Sequence, residues 1–170
     1  MKRWQALITV LAMHFAQTAW AGAPDIPLQD LQGRAHNVNE FIGQAKWTIV
    51  VTWAHDCHIC DREIGEMAQF HAAHKDKDAI VLGVTLDGKA QLKEARDFVK
   101  RHDLPFVNLI TEPKQEVMLK FGAGKFVGTP TYYVYDPNGE IVGQNIGPLT
   151  SLEVEEFIAS YNKEPQRAAE

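Results

Sequence analysis

Residues 47–60 read Trp47-Thr48-Ile49-Val50-Val51-Thr52-Trp53-Ala54-His55-Asp56-Cys57-His58-Ile59-Cys60. The β-branched run at 48–53 suits a strand buried on both faces, a central strand of a sheet. Beyond it Cys60, Ile64, Met67 and Ala68 fall at helical spacing, which predicts a helix running to about His74. Cys57 is thus expected at or just before the first helical turn, with Cys60 inside it. Unpaired amide donors and the helix dipole favour negative charge there and lower a thiol from ~8.5 toward neutrality. Cys57 is expected to be the exposed nucleophile and Cys60 the shielded thiol that resolves a mixed disulfide from one turn away.

The flanking chain continues the pattern. Residues 79–85 form a second buried strand, followed by a helix carrying Leu92, Ala95, Phe98 and Val99 on one face. Residues 106–110 make a short strand. Pro113 suits the first turn of a helix that turns Val117, Met118 and Phe121 inward, ended by Gly122, Gly124 and Gly128. Strands at 131–135 and 141–146 are joined through Asp136-Pro137-Asn138-Gly139, a hairpin signature. Thr150-Ser151-Leu152-Glu153 is a capping box opening a last helix with Val154, Phe157, Ile158 and Tyr161 inward. Residues 24–45 read as a short polar hairpin and turn punctuated by Gly33 and Gly43. The expected architecture is α/β, a mixed central sheet flanked by helices with an N-terminal β-hairpin extension.

The ends and the composition bound the function. Lys2 and Arg3, an apolar stretch from Trp4 to Phe15 and the small-residue pattern Ala19-Trp20-Ala21 read as a secretory signal peptide cut after Ala21. His14 and Gln17 break the run short of the ~20 apolar residues that span a bilayer, so no stable membrane insertion is expected once the leader is removed. The domain is expected over residues 22–162, with a polar tail at 163–170, and the location is periplasmic. With 17 basic and 22 acidic residues the net charge is -5, which argues against a basic face for nucleic acid. Two cysteines in 170 residues exclude a disulfide-stapled mini-fold. An exported chain with one close cysteine pair points to thiol chemistry without a cofactor.

WAHDCHIC at 53–60 resembles the active-site stretch of thioredoxin-fold proteins, and Gly128-Thr129-Pro130-Thr131 resembles their cis-proline loop. The likeness is greatest to exported TlpA-like and ResA-like thiol-disulfide oxidoreductases and covers roughly residues 25–162. It implies a thioredoxin-like fold and a cis bond before Pro130. It further implies pairing of the Thr129 backbone with a bound substrate, packing of Trp53 beneath the cysteines, and protein thiols and disulfides as substrates. The resemblance also implies a reductant, kept reduced by a membrane electron donor protein, with apocytochromes as candidate substrates. The chain departs from the family pattern at His58-Ile59, where a proline is common, at Gly65 in place of a proline, and at Val51, where thioredoxin has a buried aspartate.

Three further readings follow from the residues around the pair. Glu63 shares the face of Cys60, Ile64 and Met67, and is either a partly desolvated proton carrier for Cys60 or, with Asp61 and Glu66, a surface complement to the helix end. His58, between the cysteines, can tune the Cys57 thiolate. His55, Cys57, His58 and Cys60 also offer a ligand set for a copper or zinc carrier. His71 and His74, about 16 to 21 Å further along the helix, cannot join it and are expected at a solvated helix end. A disulfide-forming oxidase is the other alternative. A peroxidase of the peroxiredoxin type is disfavoured because Ala54 stands where that family has threonine.

Overall fold

The computed structural model describes residues 22–122 and 124–163. The leader and the last seven residues therefore lie outside the described residues.

The sheet grows from the strand the sequence marks first. β1 (Pro27–Asp30) and β2 (Ala35–Asn37) form the N-terminal hairpin, and β3 (Trp47–Trp53) is buried along its whole length. α1 (His58–His74) leads to β4 (Ala79–Thr85), and α2 (Leu92–Arg101) to β5 (Val107–Ile110). A short α3 (Gln115–Leu119) precedes β6 (Thr131–Tyr135) and β7 (Ile141–Ile146), and α4 (Ser151–Lys163) closes the fold. The order is β2-β1-β5-β4-β3-β6-β7. β3 and β5 run parallel to β4, whereas β1 on β5, β6 on β3 and β7 on β6 run antiparallel.

Alternation along β3 divides the core. Ile49, Val51 and Trp53 face a cluster with Cys60, Ile64, Met67 and Phe70 of α1, while Val50 joins Leu82, Val84, Leu109 and Tyr133 on the other face. That two-sided burial is why β3 reads as an unbroken apolar run. The N-terminal hairpin is part of the sheet and not an appendage, since Gln29 and Asp30 pair with Ile110 and Leu109. Its turn is closed by Asp30, which accepts hydrogen bonds from the backbone of Gln32 and Arg34. Burial pushes this carboxyl up, but those bonds and the Arg34 guanidinium hold it at about 2.

Two expectations need correction. Pro113 lies outside α3, which begins at Gln115 after Lys114 and spans five residues, leaving Phe121 buried just beyond it. The helix is short because Gly122 takes positive φ three residues after Leu119. His71 is not at a solvated end: it is buried, and its Nδ1 accepts the backbone N–H of Val81. Burial pushes its ring below the ordinary value. His74 is half-buried and bridges Asp78 and Glu155, tying α1 to α4.

Candidate active site

β3 ends at Trp53, and residues 54–57 turn into α1, with the Cys57 N–H bonded to the Ala54 carbonyl at 3.2 Å. Cys57 caps the helix: its sulfur accepts the backbone N–H of Cys60 at 3.1 Å. The two cysteines form a disulfide with Cα atoms 5.2 Å apart. Cys57 is half-buried and Cys60 only 1% exposed, so an incoming molecule meets Cys57 first.

The second wall of the site comes from the chain before β6. The Thr129–Pro130 bond is cis, and the Thr129 carbonyl oxygen lies 3.5 Å from the Cys57 sulfur. The Thr52 hydroxyl donates to the Thr131 carbonyl and accepts the Thr131 N–H, both at 3.0 Å. The last residues of β3 and the first of β6 thereby hold the cysteine turn and the proline loop in one frame. Trp53 lies fully buried below, stacked on Phe98, with its indole N–H donating to Asn108 at 3.0 Å. Asn108 reaches that position because it passes over Gly83, where any Cβ would meet its side-chain oxygen.

The remaining expected residues separate. His58 is exposed at the first position of α1. Glu63 is neither buried nor fully out in solvent: its side chain is 29% exposed, 3.7 Å from the Arg62 guanidinium. It acts on Tyr132, whose hydroxyl is pushed up by burial and further by the charges of Glu63 and Glu66. The metal-ligand set His55, Cys57, His58 and Cys60 is not assembled. Among the described residues the group of ligand-type side chains that comes together is His55, Asp56 and Asp87, which has no sulfur.

Asp87 is the residue that sequence reasoning missed. It is buried, accepts the His55 backbone N–H at 3.1 Å and the His55 Nδ1–H at 2.7 Å, and takes the Thr85 hydroxyl at 2.5 Å. Its hydrogen bond raises the His55 ring above the ordinary histidine value against partial burial, and the charges of Asp87, Asp56 and Glu94 act in the same direction. The signal was Thr85-Leu86-Asp87, two polar residues at the C-terminal end of a buried parallel strand, where α/β sheets gather their functional groups.

The sequence profile of the AhpC/TSA family matches residues 21–144. The chain belongs to that family. Its relatives include the thiol-disulfide oxidoreductase ResA of Geobacillus thermodenitrificans (strain NG80-2), 26% identical over 138 residues, 81% of this chain and 75% of that one. The thioredoxin-like protein YneN of Bacillus subtilis (strain 168) is 28% identical over 134 residues, 79% of this chain and 75% of its own. Among solved structures, a thioredoxin-family thiol:disulfide interchange protein from Chlorobium tepidum TLS superposes with a TM-score of 0.68 at 21% identity, covering 82% of this chain and 94% of that one. The family member described here has the thioredoxin-like fold, as the residues around Cys57 and Pro130 imply.

Proposed function

We propose that this chain is an exported, periplasmic reductase of protein disulfides. It is a thiol-disulfide oxidoreductase with Cys57 and Cys60 as its CxxC pair, and the observation that carries the reading is one half-exposed helix-capping sulfur joined to a buried one, facing the Thr129 carbonyl. In the reduced protein, the Cys57 thiolate attacks a substrate disulfide, forming a mixed disulfide and releasing one substrate thiolate, which takes up a proton. Cys60 then loses its proton and attacks the Cys57 sulfur, so the second substrate thiol leaves and the disulfide seen here forms. The substrate is reduced by two electrons, and a membrane electron donor restores the pair. The main chain of Thr129 aligns the substrate beside Cys57, and Trp53 supports the turn from below.

The reducing direction rests on the TlpA-like resemblance, which is also the support for proposing apocytochromes as substrates. Export rests on the Lys2-Arg3 head, the apolar stretch and Ala19-Trp20-Ala21. No helix of the described residues is long and apolar enough to cross a membrane. One experiment tests location and direction together: acid quenching of intact cells, alkylation of free thiols and intact mass of the periplasmic protein. We expect a chain lacking residues 1–21 with Cys57 and Cys60 mostly as thiols. A chain retaining Met1 would mean an anchor, and a mostly oxidised pair would mean an oxidase.

Glu63 is proposed as the proton carrier for Cys60, since it lies on the exposed flank of the face that buries Cys60 and Ile64. Glu63→Gln is expected to slow resolution by about 10-fold or more and alter its pH profile, with initial attack by Cys57 nearly unchanged. Stopped-flow resolution rates equal to wild type across pH would return Glu63 to a surface role.

A further inference from the structure

Apart from the cysteines, the most built feature near the site is Asp87 with His55, from elements 32 residues apart in the chain. Asp87 is 6% exposed and receives four hydrogen-bond contacts, two from the His55 backbone N–H and one each from the His55 ring and the Thr85 hydroxyl. Strand register places Thr85 directly opposite Trp53, so this cluster anchors the start of the cysteine turn to the end of β4. The His55 side chain remains 23% exposed, and its Nε2 has no partner among the described residues. His55 stands two residues before Cys57, inside the turn closed by the Cys57 N–H and the Ala54 carbonyl.

We infer that the Asp87–His55 pair is a positioning device for Cys57: it fixes the turn that presents the sulfur and switches the local charge that the thiolate meets. This rests on the reading of Cys57 as nucleophile. With the ring protonated, the pair is neutral overall. With the ring neutral, it carries one net negative charge in the turn that leads to Cys57, which disfavours a thiolate there. The other charged groups acting on His55 are Asp56 in its own turn and Glu94 of α2, both negative, so that among these groups the protonated ring is the positive charge. The carboxylate keeps the ring protonated to higher pH than an isolated histidine would be, which widens the range in which Cys57 is helped. His58, by contrast, is exposed and screened, with no partner among the described residues that orients it.

The test is the pH profile of Cys57 alkylation by iodoacetamide in the reduced mature protein, with the label located by mass spectrometry. His55→Gln keeps a side-chain donor for Asp87 but removes the titrating ring. The wild-type rate is expected to exceed the His55→Gln rate about three- to tenfold at pH 5.5, a gap of up to one pKa unit, and to come within about twofold of it at pH 9. The pH at which the ratio falls should coincide with the His55 ring titration followed by NMR in the wild-type protein. Asp87→Asn should move that titration to lower pH. A ratio constant across pH would reduce His55 to a structural part, and a step that follows the His58 ring would assign the effect to the other histidine; either overturns the inference. If Asp87→Asn does not fold, His55→Gln and the wild-type titration still decide. Trapping of substrates by a Cys60→Ser protein reports separately on the oxidoreductase reading.

Discussion

A Cys60→Ser protein is expected to accumulate mixed disulfides with its substrates, whereas a Cys57→Ser protein traps essentially none. The asymmetry follows from where α1 begins. Cys57 is its N-cap, half-buried, with the Cys60 N–H pointing at its sulfur. Cys60 is one turn inside, against Ile64 and Met67, where no substrate sulfur can reach it in line. A thiolate is favoured by the amide donors at the first position and disfavoured by the apolar surroundings at the second. Removing Cys60 leaves the first exchange intact and deletes the second, so the intermediate lives as long as external thiols allow. Non-reducing electrophoresis of periplasmic extract incubated with each reduced variant reads the result. Equal trapping by both would refute the assignment of roles.

The reduction potential of the pair is expected between the ~−270 mV of thioredoxin and the ~−180 mV of protein disulfide isomerase, equilibrated against glutathione. Two features oppose each other. The TlpA-like resemblance implies a reductant, while an imidazole between the cysteines stabilises the Cys57 thiolate when protonated and makes the pair more oxidising. His58 lies exposed at the first position of α1. There, solvent and salt screen it, so its effect is held to about one step of ~30 mV, the equivalent of ~1.4 kcal/mol. His58→Ala should therefore move the potential more negative by up to that amount. A wild-type value near the ~−120 mV of a strong oxidant would end the reductase reading, and an unchanged value in His58→Ala would remove this histidine from it.

Most of the architecture was legible because burial and periodicity agree along the chain. β3 and β4 are apolar on both faces and are central, α1 starts where the cysteines predict, and Thr150 and Glu153 cap α4 reciprocally. The legible part of the site was what lies in consecutive residues, Cys57 to Cys60 and Thr129-Pro130. What stayed hidden depends on which strand ends meet in space. Asp87 becomes the partner of His55 only because β4 lies parallel to β3 in a register that puts Thr85 beside Trp53. Asn108 of β5 becomes the partner of Trp53 by the same kind of meeting across β4. His71 was misplaced because helical spacing alone cannot tell that β4 passes close enough for the Val81 N–H to reach the ring.

The pairing of β1 with β5 decides what the sheet offers to a neighbouring polypeptide. Without the hairpin, β5 would present open backbone donors and acceptors to any extended polypeptide, an invitation to strand addition and aggregation. The hairpin replaces that edge with β2, three residues long and stopped at once by a turn of 3-10 helix at Val38–Glu40. At the opposite edge β7 is half exposed, and its pairing with β6 shifts register between Val134 and Tyr135. Such an irregularity bends a strand away from flat pairing. Both margins of the sheet are thus poor templates, so a polypeptide exchanging disulfides at Cys57, as proposed above, would have little opportunity to add itself to the sheet.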